Sequence, residues 1–144
     1  MIGIIISIIS GALMSIQGVF NTGITKQTNI WLTNSFVQLT AFLVCIGAWI
    51  FTGRQSSVSE LFKVDNKYML LGGVIGAFIT FTVIKGMDSL GPAKAVMIIV
   101  ISQLLVAYFI EVFGLFGTEK IPFEIKKLVG LLLAVTGIVV FKWE

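Results

Sequence analysis

Histidine is absent from this sequence, and cysteine occurs once, at Cys45. The first absence removes the side chain that most often moves protons near neutral pH and ligates metals. The second excludes an intramolecular disulfide and a paired-thiolate metal site. Charge is also scarce. Asp, Glu, Lys and Arg make up 12% of the chain, where a soluble domain carries about 25%. That leaves too little polar surface to face water. The ten Lys and Arg are scattered and the net charge is only +3, so no basic stripe marks a nucleic-acid-binding face. The sequence has no phosphate loop, no paired carboxylates within an apolar run and no nucleophile beside a base. It therefore argues against an enzyme, and against a bound cofactor or metal.

What is present is apolar: 57% of the 144 residues are hydrophobic. A helix crosses a bilayer core with about 20 mostly apolar residues, or about 17 at the short limit. Five stretches meet or approach this length and predict spans over 2–21, 30–52, 68–85, 93–117 and 128–143. The runs are continuously apolar, whereas barrel strands alternate, so the spans are helices. Trp31 and Trp49 stand near the ends of the second span, and Trp143 extends the short fifth, as interfacial anchors. Lys85 closes the third, with a stem that can snorkel. The longest connection, 53–67, holds Arg54, Glu60, Lys63, Asp65 and Lys67 and reads as a solvated loop. Between Asp88 and Pro92 the chain stops one helix and starts the next. Gly91 breaks the first, and Pro92 suits the opening turn of the second, where its missing N–H costs nothing. The N-terminal Met1-Ile2-Gly3-Ile4 has no basic region ahead of its apolar run, which reads as a permanent span and not as a signal peptide. The expectation is an all-α integral membrane protein, one five-helix domain over 1–144, with the lipid bilayer as its first partner.

Polar side chains in hydrocarbon are costly, so their positions carry information. Ser10, Gln17 and Asn21 lie at spacings of seven and four, on one face of the first span. Asn34 and Gln38 are four apart on the second. Ser102 and Gln103 sit near the middle of the fourth, and Glu111 follows about two turns later. The amides have two readings: a polar cavity, or hydrogen-bonding glue between helices. The cavity reading makes Gln17, Asn21, Asn34, Gln38, Ser102 and Gln103 a substrate-binding set. Glu111 is then a proton-coupling carboxylate; its alternative is a side chain that reaches the interface. Lys85 and Lys94 flank the tight connection and read as snorkelling. Gly3, Ser7, Gly11 and Ser15 repeat every four residues, as do Gly72, Gly76 and Thr80, and more loosely Gly130, Ala134 and Gly137. These read as packing seams.

Four blocks carry a family resemblance. They run from Ser10 through Gln17 to Asn21, from Leu71 to Phe78, from Ser102 through Glu111 to Gly117, and from Lys127 to Phe141. The first three resemble the YdcZ family of small bacterial membrane proteins. The last looks like the closing helix of the wider drug/metabolite transporter superfamily. The resemblance implies a bacterial plasma (inner) membrane location. It implies a five-helix unit equivalent to one half of an inverted-repeat, EamA-type transporter. It also implies antiparallel pairing, either as a homodimer or with a homologous partner subunit. Small multidrug exporters of that superfamily couple protons through a carboxylate in the first helix. Here Gln17 lies at about that depth and the first span has no acid, so this chain departs from that mechanism unless Glu111 supplies the proton site.

Pairing also has a reason outside the family. Five helices around one seam cannot easily enclose a gated path, and secondary transporters place their site between two inverted repeats. The expected function is therefore a small secondary transporter that exports a small polar or amphiphilic metabolite as an antiparallel dimer. A small dual-topology ion channel and a non-transporting accessory subunit are the alternatives.

An odd number of spans puts the termini on opposite sides. The N-terminal side then holds Arg54, Lys63, Lys67, Lys120, Lys126 and Lys127, against Lys26, Lys85, Lys94 and Lys142 on the other. This bias is small and favours a cytoplasmic N-terminus, with some chains inverted. Tags on each terminus, probed for accessibility in intact cells, should report opposite sides. Both tags on the same side in every molecule would rule out five spans.

Overall fold

The computed structural model describes residues 1–54 and 56–141. Its helices are α1 (Ile2–Gln27), α2 (Ile30–Phe51), the single turn α3 (Val58–Leu61), α4 (Gly72–Leu90), α5 (Pro92–Phe113) and α6 (Ile125–Phe141). Short 3-10 turns occupy Lys67–Leu71 and Leu115–Gly117. No strand occurs among the described residues, and the all-α membrane class holds. Among the described residues four segments are long and apolar enough to cross a bilayer: Ile2–Gln27, Ile30–Phe51, Lys67–Leu90 and Pro92–Phe113. α6, with 17 described residues, stands at the short limit for a span. Lys142 and Trp143, counted above as a flanking charge and an anchor, lie outside the described residues.

The chain divides into two compact units, Met1–Ser89 and Leu90–Glu144. In the first, the turn between α1 and α2 is closed by side chains. Asn29 caps α2, its Oδ1 accepting from the Trp31 backbone N–H at 2.8 Å. The Thr28 and Thr33 hydroxyls meet at 3.1 Å. α4 joins through polar contacts. Asn34 Nδ2 donates to the Ala77 carbonyl at 2.8 Å, and Gln38 Nε2 to Thr80 Oγ1 at 3.5 Å. The Trp31 and Phe81 rings stack with centroids 4.8 Å apart. At the far end of α2 the Trp49 indole N–H donates to the Ser56 carbonyl at 3.2 Å, under the Arg54 guanidinium.

Burial is inverted relative to a soluble protein. The buried polar residues are Asn21, Thr22, Thr33 and Asn34, while the buried apolar ones are Ile84, Met87 and Ala95. Large apolar side chains lie outside: Phe20 is 66% exposed and Val44 72%. Such a surface belongs in lipid. Several helical hydroxyls are satisfied within their own helix. Ser7, Ser15, Thr22, Thr82 and Thr136 each donate to the carbonyl four residues back.

In the second unit Gly91, at φ 79°, precedes Pro92 in the first turn of α5, as the sequence predicts. The end of α5 differs from expectation. The helix stops at Phe113, not at 117, because Gly114 caps it in the left-handed region at φ 64°. Phe116 and Gly117 also have positive φ, and hydropathy does not register that turn. The Ile121 N–H then donates to the Glu111 carbonyl at 3.1 Å. The Tyr108 hydroxyl accepts from the Glu124 backbone N–H at 3.0 Å, which ties the start of α6 to α5.

The glycine seams also turn out differently from their spacing. A Cβ built on Gly3, Gly11, Gly72, Gly130 or Gly137 meets nothing within 4 Å, so those faces are open within the chain. Gly76 approaches the Gln38 amide at 3.9 Å. Among the glycines the closest approach is at Gly18, where a Cβ would fall on the Met87 thioether and lie 3.3 Å from Val83 Cγ1. Gly18 thus lets α1 pack against α4. Met87 is flexible and can swing away from one added methyl, whereas a branched side chain also meets Val83. Gly18→Ala should therefore melt close to wild type in detergent, and Gly18→Val should lose about 1–3 kcal/mol. An unchanged melting midpoint for Gly18→Val would refute this contact.

Candidate functional site

The amides and hydroxyls expected to form a substrate site divide by unit. In the first unit, Asn21 on α1 and Asn34 on α2 are buried, and Gln38 is half-buried. They share the interior with Thr22 and Thr33. Asn34 and Gln38 spend their amide N–H groups on α4, so part of their role is the interhelical bonding weighed above as the alternative. That bonding is incomplete. Asn34 Oδ1 and Thr25 Oγ1 are buried with no hydrogen-bond partner. An unsatisfied buried acceptor costs about 1–3 kcal/mol, so Asn34 Oδ1 is poised to accept from a donor that enters.

Gln17 is exposed. It lies in an open groove of about 640 Å³ along α1, with Ser10, Leu13, Phe20 and Asn21. The predicted shared face of Ser10, Gln17 and Asn21 is therefore real, and it borders that groove. Asn21 belongs both to the groove and to the buried polar interior.

Ser102 and Gln103 lie on exposed faces of α5 in the second unit. The Ser102 hydroxyl is engaged by its own helix, donating to the Ile98 carbonyl at 2.9 Å. Glu111 is not well inside a span. With α5 ending at Phe113 it occupies the last helical turn, where a carboxylate opposes the helix dipole. It lines a cleft of about 450 Å³ between α5 and α6, with Tyr108, Lys127 and Gly130 among its neighbours. Sequence reasoning had not assigned Tyr108 or Lys127 to a site. Their signal was present: Tyr108 is three residues before Glu111 on one helical face, and Lys127 falls in the opening turn of the next helix.

Among the described residues no three Asp, Glu, Cys or His side chains gather as a metal site would require. The arrangement suits binding and release through hydrogen bonds.

No curated protein and no solved structure matches the chain. The family model described as "Putative inner membrane exporter, YdcZ" matches residues 2–140. With long apolar helices of spanning length and a family match over nearly its whole length, the chain belongs to the YdcZ family and is a multi-pass inner membrane protein.

Proposed function

We propose that the chain is one half of a secondary transporter, which pairs in antiparallel fashion to export a small polar or amphiphilic metabolite. The unit is read as five spans, with α6 as the fifth. The observation that carries the reading is the unpartnered Asn34 Oδ1, buried in a segment that crosses hydrocarbon. A protein that needed amides only as glue would satisfy both ends of each. Asn21 links that interior to the α1 groove, where Gln17 offers a further carboxamide. Within the second unit, Ser102 and Gln103 offer polar groups of the same kind on α5. Such a set recognises a ligand by hydrogen bonds and without fixed charge. Glu111 serves as the coupling carboxylate at the mouth of its helix pair.

Pairing is supported by the open small-residue face of α1, since Gly3 and Gly11 have nothing of their own chain against them. Close helix approach in membranes uses such faces. A second copy in inverted orientation would supply the other repeat.

A melting screen of the purified chain against metabolites identifies the ligand, because binding to the folded state raises apparent stability. Gln17→Leu and Gln103→Leu should each weaken binding and transport of that ligand about tenfold, with the unliganded midpoint unchanged. Normal transport by both variants would make the amides packing elements only. Glu111→Gln should keep binding of a neutral ligand and remove the pH dependence of its transport; an unaltered pH profile would remove Glu111 from coupling.

Cross-linking in native membranes should trap a two-chain species with the two α1 helices in opposite directions. A monomer that transports in lipid would overturn the pairing.

A further inference from the structure

The cleft between α5 and α6 changes chemistry along its length. One end carries Glu111, in the last turn of α5, and Lys127, in the first turn of α6. Further along both helices its walls are Leu104, Gly130 and Leu131. A Cβ at Gly130 would meet nothing within 4 Å, so no part of the chain fills the space beside it.

The two charges at the mouth do not pair. Among the described residues the one ion pair within 4 Å is Lys26 with Asp88. Lys127 Nζ instead lies 5.8 Å from the centre of the Tyr108 ring. That ring is held in place, because its hydroxyl is bonded to the Glu124 backbone. Each charge also stands where its helix opposes it. A carboxylate faces the carbonyl end of α5, and an ammonium faces the N–H end of α6. A cation brought to Glu111 and an anion brought to Lys127 would relieve both conflicts at once. One ligand can do this if its head carries both charges. The apolar depth of the cleft then asks for a hydrocarbon tail.

We propose that this cleft binds a bilayer phospholipid with a phosphoethanolamine head group. The head's ammonium meets Glu111, its phosphate meets Lys127, and an acyl chain lies along Leu104 and Gly130. A primary ammonium is required because it donates hydrogen bonds to the carboxylate, which a quaternary one cannot. The source is the membrane, not a free head group. The neighbouring surface of α5 is exposed and apolar, with Phe109 and Val106 each more than half exposed, and would itself lie in lipid. The inference does not rest on the transport reading, although Glu111 enters both. Lipid binding is measured at equilibrium on the purified chain, so it succeeds or fails without any transport.

The test is thermal melting of the full chain in detergent. It is titrated with phosphatidylethanolamine, phosphatidylcholine, phosphatidylglycerol and water-soluble glycerophosphoethanolamine. Phosphatidylethanolamine should raise the midpoint most, and the soluble head group should not raise it at the same concentration. Glu111→Gln and Lys127→Gln should each weaken that lipid's affinity about tenfold. Lys126→Gln, an adjacent charge that does not line the cleft, should leave it unchanged. Native mass spectrometry of the unmodified chain gives a second readout, in which one phosphatidylethanolamine should be retained in preference to the other lipids. Equal stabilisation by phosphatidylglycerol would reduce the effect to simple attraction for anions and overturn the proposal. So would equal stabilisation by the soluble head group, unchanged affinity in both cleft variants, or no selective lipid adduct.

Discussion

Hydrocarbon offers no hydrogen bonds, so every polar group on a spanning segment must find its partner within protein or go without. That constraint explains most of what this chain does. Its backbone is helical because helices satisfy their own N–H and C=O groups. Many of its hydroxyls turn back onto the carbonyl one turn earlier. Two of its carboxamides, Asn21 and Asn34, are drawn inward beside Thr22 and Thr33, whereas Gln17 and Gln103 stay exposed. Apolar side chains have no such need and face outward. The usual sorting of a globular protein is reversed because the solvent is reversed.

The same constraint separates what could be read in the sequence from what could not. Long continuous apolar runs admit one solution, so the class and the approximate places of the first four spans were legible. Gly91 and Pro92 act through local backbone geometry, and the break they impose was legible too. The end of α5 was not. Leu115 and Phe116 continue the apolar run, so hydropathy carries the span to 117, but the left-handed conformation of Gly114 has already ended the helix. The small-residue repeats gave faces without saying what lay against them. The contact that does bring α1 and α4 together uses Gly18, which belongs to none of those repeats. The amide faces were correct as geometry. Whether an amide is spent within the chain depends on the neighbouring helix, as Asn34 and the Ala77 carbonyl illustrate.

Moving Glu111 to the final turn of α5 changes the argument about coupling. A carboxylate deep in a span must be paired or neutral, and its function would follow from that pressure. At a helix end the pressure comes instead from the dipole and from nearby charge. Lys127 lines the same cleft and is the natural counter-ion, yet the two do not close to an ion pair. A cleft that holds opposite charges apart differs in kind from one that contains a salt bridge. A closed pair would have spent its charge internally, whereas here both groups remain available to whatever enters.

Three features of the chain are unfinished in the same sense. An acceptor on Asn34 is buried without a donor, small-residue faces on α1 and α6 are open, and two charges share a cleft without meeting. Each would carry a cost in an isolated bundle. An orphan acceptor alone costs about 1–3 kcal/mol, which is large beside the roughly 0.6 kcal/mol of an average hydrogen bond between membrane helices. Such demands are met more economically by a ligand, a lipid and a second chain than by further helices of its own. Five helices around one seam cannot easily enclose a gated path, and these open groups support the proposal that the unit works as a half completed on assembly.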